Sequence, residues 1–381
     1  MYYLLLILKT HFIDWRYFAK NELLETRFLF DDQQHHVPNQ FSGKVAWQSP
    51  SNIALVKYWG KHGNQLPSNP SISFTLDACN TQTEIRFKKS DQFGFKFFFE
   101  GNENPKFGTK ALNFLENNKA YFPFINQLEL EIDTKNTFPH SSGIASSASG
   151  MSALALGLMS IEKQLNPFIE KDYFLQKASF LARLGSGSAS RSVYGGLVNW
   201  GMHKDIENSS DLFAVAYQNN VHEVYSTFKD AVLLVDEGQK KVSSTVGHGL
   251  LKNHPFAQTR FDLAHTHLSQ LLGALKTGDL KVFGDIVERE ALMLHALMMT
   301  SDPYFILMKP NTLAIIEAIW EARQGGMDVW FTLDAGANVH LLYPAHEEHK
   351  VSIFVKETLA EYCAERKFIF DAVGLGPTQL Y

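Results

Sequence analysis

The strongest constraint on the fold lies between residues 127 and 161. QLELEID at 127–133 alternates with period two, and from Ile144 onward Ala148, Met151, Leu154, Leu158 and Ile161 recur at helical spacing. Between the two runs lies a loop rich in Ser and Gly, FPHSSGIASSASG at 138–150. The stretch therefore predicts a strand, a small-residue loop and a helix in immediate succession. Small residues let backbone approach a ligand, and the free N–H groups and dipole of a helix start attract phosphate. Ser146 and Ser147 add hydroxyl donors or a Mg²⁺ contact on that reading. The competing reading is a serine-rich N-cap followed by a small-residue packing face, and the local pattern leaves the two level. The chain contains neither GxxxxGK[ST] nor GxGxxG, which excludes P-loop and Rossmann chemistry.

Further elements follow the same logic. Residues 82–88 and 93–99 carry strand composition, 172–184 a helical pattern and 193–200 a strand. A polar break at 203–211 marks a candidate domain boundary. Beyond it, 231–236 predicts a buried strand, and 255–277, 279–299 and 310–324 predict helices. Strands at 328–333 and 339–343 flank the turn Asp334-Ala335-Gly336-Ala337-Asn338. Antiparallel strands with segregated helices point to α+β rather than a doubly wound parallel sheet. The length of 381 residues with 45% hydrophobic content fits two domains. Residues 1–40 read as an appended segment, aromatic enough to pack on the body. Its apolar run Met1–Leu8 ends at Lys9, short of the roughly 20 residues a membrane span needs and without a signal-peptide pattern.

A net charge of -5 gives no general basic field, which argues against nucleic acid as a partner. The two cysteines, Cys79 and Cys363, lie far apart, so a disulfide framework or cysteine zinc site is not expected and a reducing, cytoplasmic compartment is. An anionic ligand must then meet local positive charge. Lys57, Tyr58 and Lys61 lie within five residues, a plausible diphosphate or carboxylate grip, though Lys pairs are more commonly solvated surface groups. Arg191 sits among Ser186, Ser188, Ser190 and Ser192; its planar fork suits a carboxylate or phosphate, against the alternative of a loop with one structural Arg. Asp334 alone would be a turn former. His265 and His267, two apart on a predicted helix, point in different directions and are rejected as a metal pair. His295, on EREALMLHALMM, reads as a hydrogen-bonded core group. HExxH and GxSxG are absent.

Taken together, NIALVKYWGK (52–61), FPHSSGIASSASG (138–150), GSGSASRSVYGG (185–196) and FTLDAGANVH (331–340) resemble, in order and spacing, diphosphomevalonate decarboxylases of the galactokinase, homoserine kinase and mevalonate kinase (GHMP) superfamily, over about residues 45–345. The resemblance implies an α+β, two-domain GHMP kinase-like fold. An amino-terminal ribosomal-protein-like α/β domain (41–205), with the superfamily's left-handed crossover, would meet a carboxyl-terminal ferredoxin-like domain (206–381) at a catalytic cleft. It implies phosphorylation of a tertiary hydroxyl of mevalonate 5-diphosphate by ATP with Mg²⁺, followed by loss of phosphate and carbon dioxide to give isopentenyl diphosphate.

Carried across residue by residue, Asp334 resembles the catalytic carboxylate and Lys57 its electrostatic partner. Arg191 resembles the residue holding the substrate carboxylate, with Asn52, Ser186 and Ser188 nearby. Tyr58 and Lys61 resemble diphosphate-side contacts. Ser141, Ser142, Gly143, Ile144, Ala145, Ser146 and Ser147 fall on the ATP phosphate loop, with Ser147 as the metal-side hydroxyl. The family pattern also implies a cytoplasmic homodimer. This chain departs from it at His140, Ser141 and Ser142, where Thr-Ala-Ala is commoner, at Ser149, where the family has Ala, and at Ala337, where Pro is frequent. Those departures bear on substrate phosphorylation state and nucleotide affinity. A decarboxylase of the monophosphate, a mevalonate 3-kinase and an inactive scaffold homologue are the alternatives. Kinase-only relatives tend to lack the Asp/Lys pair, and a scaffold would have lost Asp334, Lys57 or Arg191.

Overall fold

The computed structural model describes residues 21, 23–31, 36–139, 144–218, 220–236 and 244–381. Strand β1 (Ser42–Val56) leads into a small ladder of β2 (Lys61–His62) with β3 (Leu66–Pro67), and the chain returns as β4 (Ser71–Lys89), antiparallel to β1. Strands β5 (Gly94–Phe99) and β6 (Asn102–Glu103) pair at the edge, helix α1 (Pro105–Asn117) follows, and β7 (Leu128–Asn136) runs parallel to β5 and antiparallel to β4. Helices α2 (Ser146–Leu165) and α3 (Lys171–Gly185) come next. Strand β8 (Leu197–Trp200) then pairs with the start of β4, and β9 (Ala214–Ala216) pairs with β8.

A second, antiparallel sheet begins with β10 (Lys229–Leu233). Helices α4 (Ser244–Leu250), α5 (Ala257–Thr277), α6 (Leu280–Met299) and α7 (Pro310–Gln324) precede β11 (Trp330–Thr332) and β12 (Val339–Tyr343). Helix α8 (Glu348–Glu357) and β13 (Phe368–Ala372) complete it in the order β11-β12-β10-β13. The chain ends by returning to the first sheet, where β14 (Thr378–Gln379) pairs with β1. The architecture is α+β, as the patterning implies. Two local expectations are corrected. The strand expected over 193–200 starts at Leu197, because Gly187–Val193 is wound as a 3₁₀ turn. The helix expected from Ile144 starts at Ser146, because Ala145 is left-handed, with φ 42.

Hydrophobic clusters on both sides bury β1. Val45 and Trp47 pack with α2 and α3, whereas Ile53, Leu55 and Val56 belong to the core shared with α5, α6 and Trp330. The first cluster also includes Phe28, fully buried with its ring 4.7 Å from that of Phe180. The β1–β4 register jumps from Pro50↔Asn80 to Asn52↔Thr75, which takes residues 76–79 out of the ladder. Amides outside a ladder need other acceptors. The Asp371 carboxylate of β13 supplies them, accepting from the N–H groups of Asp77, Ala78 and Cys79 at 2.7, 2.7 and 2.9 Å, and so fastens the two sheets together. Helix α2 is buried around most of its circumference. A Cβ at Gly157 would come within 2.5 Å of Ile85, so only glycine permits that approach to the sheet.

Candidate active site

Lys57 stands where β1 ends, 1% exposed, and its Nζ meets Asp334 Oδ1 at 3.1 Å across 277 residues of chain. Asp334 is the more exposed partner, with a side chain 28% exposed. Its backbone carbonyl accepts from Gly336 N–H at 2.7 Å and from His295 Nε2 at 3.1 Å, which fixes the turn between β11 and β12. Burial pushes His295 down to about 4, so it is a neutral donor, the hydrogen-bonded core group its helix position suggested. Lys57 is not one of a pair of surface lysines. Burial pushes its ammonium below the ordinary lysine range, with the Asp334 and Glu290 charges opposing.

The backbone of Lys57 is held as firmly as its side chain. Its N–H donates to Glu290 Oε2 at 2.8 Å, and its carbonyl accepts from Arg260 Nη2 and Asn69 Nδ2, each at 3.0 Å. Glu290, fully buried on α6, also receives Arg260 Nη2 at 2.6 Å and His267 Nδ1 at 2.5 Å. Burial alone would raise its pKa, but Arg260, His267 and the Lys57 N–H together bring it below the usual carboxylate range. His267 is thereby a structural partner, and His265 instead stacks on His203, so the two do not form a metal pair. Among the described residues, the ligand-rich group Asp328, His346 and Glu347 lies apart from this site, and Glu347 pairs with Lys350.

Arg191 lies in the 3₁₀ turn and is 2% exposed. Its Nη1 donates to Ser71 Oγ at 2.6 Å and its Nε to Ser73 Oγ at 3.1 Å and Asn52 Oδ1 at 3.3 Å. Asn52 Nδ2 in turn donates to Ser192 Oγ and the Ser188 carbonyl. Among the described residues no carboxylate lies within ion-pair distance of this guanidinium. Burial lowers it to about 10, with Asp334 opposing through space. A desolvated cation surrounded by hydroxyls is prepared to receive an anion.

Tyr58 packs its ring 4.7 Å from Trp200, and Gly187 leaves room for its hydroxyl: a Cβ there would sit 2.7 Å from it. Lys61 Nζ donates to Gln65 Oε1 at 2.8 Å and does not contact Arg191 or Asp334. Ser186 Oγ lies 3.2 Å from Ser147 Oγ, joining the Arg191 turn to the start of α2. Ile144 is buried and its carbonyl accepts from Ser51 Oγ. Ser141, Ser142 and Gly143 lie outside the described residues. The serine-rich N-cap of the packing reading is not formed, because Ala145 occupies the N-cap position and no side chain caps the helix. Ser149 and Ser152 are buried packing residues bonded to Thr81 and Ser49, whereas Ser146 and Ser147 line a cavity of about 300 Å³ with Phe97, Phe107, Lys106 and Lys110.

The sequence patterns did not single out Glu290, Arg260, Asn69, Ser71, Ser73, Lys106 or Lys110. The available signal for Glu290 was a charge on the apolar stripe of α6, five residues before His295.

Comparison with known proteins follows the same outline. Residues 49–213 match the diphosphomevalonate decarboxylase-like N-terminal domain, and residues 201–373 match the mevalonate 5-diphosphate decarboxylase C-terminal domain. A diphosphomevalonate decarboxylase of Ganoderma lucidum is 30% identical over 349 residues, covering 86% of this chain and 84% of the relative. A solved complex of MDDEF with MVAPP, AMPPCP and magnesium superposes with a TM-score of 0.77 at 29% identity, over 89% of this chain and 99% of that one. Mevalonate diphosphate decarboxylase from Staphylococcus aureus superposes with a TM-score of 0.77 at 28% identity, over 90% and 99% respectively.

Proposed function

We propose, from the premise that this chain belongs to the diphosphomevalonate decarboxylase family, that Asp334, Lys57 and Arg191 are its catalytic residues. The chain has the two-domain GHMP kinase-like fold and is an enzyme. It converts mevalonate 5-diphosphate and ATP into isopentenyl diphosphate, ADP, phosphate and carbon dioxide, with Mg²⁺, in the mevalonate pathway. The observation that carries the residue assignment is the Lys57–Asp334 pair, a buried ammonium joined at 3.1 Å to a carboxylate that reaches solvent.

The residues at the start of α2 fit the nucleotide. The cavity there combines aromatic walls, two lysines and the hydroxyls of Ser146 and Ser147, the mixture that a base and a polyphosphate require. ATP supplies the phosphoryl group and Mg²⁺ neutralises phosphate charge. Ser147, together with Ser186, offers hydroxyl oxygens on the metal side. Asp334 takes the proton of the tertiary hydroxyl, and Lys57 fixes that carboxylate and offsets the charge. Arg191 grips the substrate carboxylate bidentately, with Asn52, Ser186 and Ser188 around it. When the bond to that carboxylate breaks, its electron pair forms the new double bond, phosphate departs and carbon dioxide is released. Tyr58 and Lys61 hold the diphosphate.

The same reading divides the chain into an extension (1–40), a first domain (41–205) and a second (206–381). Support comes from the two family matches, which meet at 201–213. It also takes the enzyme to be a cytoplasmic homodimer. Cys79 and Cys363, both buried and free, suit a reducing compartment, and among the described residues no helix is long and apolar enough to cross a membrane. Sedimentation velocity tests the dimer. The function is tested by ATP-dependent carbon dioxide release, comparing mevalonate diphosphate with its mono- and unphosphorylated forms; release from none of them would overturn it.

A further inference from the structure

His248 projects from α4 and is 8% exposed, yet it belongs to none of the motifs described above. Its ring lies 4.3 Å from the ring of Tyr58 and 4.5 Å from that of Trp59. Gly247 beside it must lack a side chain, since a Cβ there would come within 2.6 Å of the Trp59 ring. The imidazole is therefore a fixed part of the wall next to the lysine-bearing segment.

Its protonation follows from one bond. The backbone N–H of Gly60 donates to His248 Nδ1 at 3.0 Å, so Nδ1 presents its lone pair and the proton of the neutral ring sits on Nε2. Gly60 holds that N–H in place with φ +98, and a Cβ there would press to 2.9 Å on Phe261. Burial, with the Lys61 charge adding to it, pushes the imidazole down to about 3, so the ring stays neutral in ordinary buffers. Nε2–H has no partner among the described residues. The residue keeps 8% of its surface open, so a ligand acceptor can meet this donor, and phosphate oxygens accept hydrogen bonds without donating any.

Resting on the reading of Tyr58 and Lys61 as diphosphate-side contacts, we propose that His248 is a specificity-determining residue whose Nε2–H donates to the phosphate end of the substrate. Lys61 contributes charge there and His248 contributes direction. A neutral donor with a locked tautomer rewards an oxygen in one position, which a mobile lysine does not.

Two substitutions separate this role from a structural one. His248→Asn keeps an acceptor near the Nδ1 position for Gly60 N–H but loses the distal donor, whereas His248→Gln keeps a distal N–H donor. The expected result is that Asn raises KM for mevalonate diphosphate roughly ten- to hundredfold, with KM for ATP within about twofold, and that Gln recovers most of the loss. Recovery by Asn and not by Gln would assign His248 to holding Gly60 and overturn the proposal, as would wild-type KM in both. A measurement on the unmodified protein guards against misfolded variants. In ¹⁵N-histidine spectra the His248 Nε2–H tautomer should be present, and its signal should shift on adding mevalonate diphosphate without ATP; an unchanged signal overturns the proposal. If wild-type enzyme releases carbon dioxide from mevalonate diphosphate while these tests fail, His248 alone is misassigned. If there is no release, the functional reading fails first.

Discussion

Asp334→Asn separates chemistry from architecture at this site. The turn is held through the Asp334 backbone carbonyl, which receives His295 and Gly336, so the variant keeps its fold. Asparagine still offers an oxygen to Lys57 Nζ but without charge. A hydrogen bond to a charged group contributes about 1.5–3 kcal/mol and a neutral one about 1. With the Asp334 side chain 28% exposed, solvent screening reduces the difference to about 1 kcal/mol of stability, or a few degrees in Tm. Losing a positioned proton acceptor costs about 10²–10⁴-fold in rate, or roughly 3–5 kcal/mol of barrier. The expected outcome is a kcat at least a hundredfold lower, with ATP and substrate Kd within about fivefold. It is read as ATP-dependent ¹⁴CO₂ release from carboxyl-labelled mevalonate diphosphate, alongside calorimetric binding. Carbon dioxide release within a few-fold of wild type would refute the assignment.

The same variant carries a pH signature. Burial holds Lys57 below the ordinary lysine range, and Asp334 is the largest effect opposing that shift. Removing it lowers Lys57 further. Between the folded value and the ordinary lysine value the unfolded chain binds more protons than the folded one, so stability rises with pH across that window. The Tm gap between Asn variant and wild type should therefore narrow as pH is raised towards the alkaline range. A gap that widens would mean that Lys57 is not the group left without its counterion.

Arg191→Lys should lower kcat/KM at least tenfold, because one ammonium cannot bond Ser71, Ser73 and Asn52 while gripping a carboxylate; unchanged kinetics would make Arg191 structural. Glu290→Gln leaves Arg260 and His267 without their buried carboxylate and should cost about 3–5 kcal/mol in chemical denaturation; a loss under 1 kcal/mol would contradict the network. Phe28→Ala empties a fully buried site and should cost about 3–5 kcal/mol while kcat of the folded enzyme stays unchanged; a folded but inactive variant would tie the extension to the site. Wild type should prefer mevalonate diphosphate over the monophosphate by roughly ten- to hundredfold in kcat/KM, and Lys61→Ala should shrink that preference. Equal use of both substrates by wild type would remove the diphosphate grip.

Helices α5 and α7 were legible because each buries one face, so that apolar residues recur with the helical period; the expected 310–324 coincides with α7. Strand β1 was not. SGKVAWQSPSNIALV is buried on both faces over most of its length, so the outward polar residues that make period two visible are missing. Its Ser and Asn, which look like loop composition, instead tie it to its surroundings: Ser49 bonds Ser152, Ser51 bonds the Ile144 carbonyl and Asn52 bonds Arg191. Helix α1 was hidden for a different reason, since Gly108 interrupts its pattern where a Cβ would meet Phe97 at 2.7 Å.

What could be read of the site differs between groups that touch ligand and groups that hold them. Lys57, Arg191 and Asp334 sit in short local motifs, because a loop that meets a ligand must satisfy its backbone and its chemistry within a few residues. Their supports follow a different rule. Glu290 reaches Lys57 across 233 residues, and Arg260 reaches it across 203, distances over which no local pattern extends. What such residues leave in a sequence is a charge where helical periodicity calls for an apolar side chain. On α6 the stripe Glu290, Leu294, Leu297, Met298 is buried throughout, and a fully buried carboxylate on it requires cationic partners from a neighbouring element. The adjacent helix α5 supplies two, Arg260 and His267. The same criterion singles out His295 five residues further along α6, where the buried imidazole bonds the Asp334 carbonyl. One helix thus bonds the backbone of both members of the ion pair, Lys57 through Glu290 and Asp334 through His295, while α5 and Asn69 hold the Lys57 carbonyl from the other side.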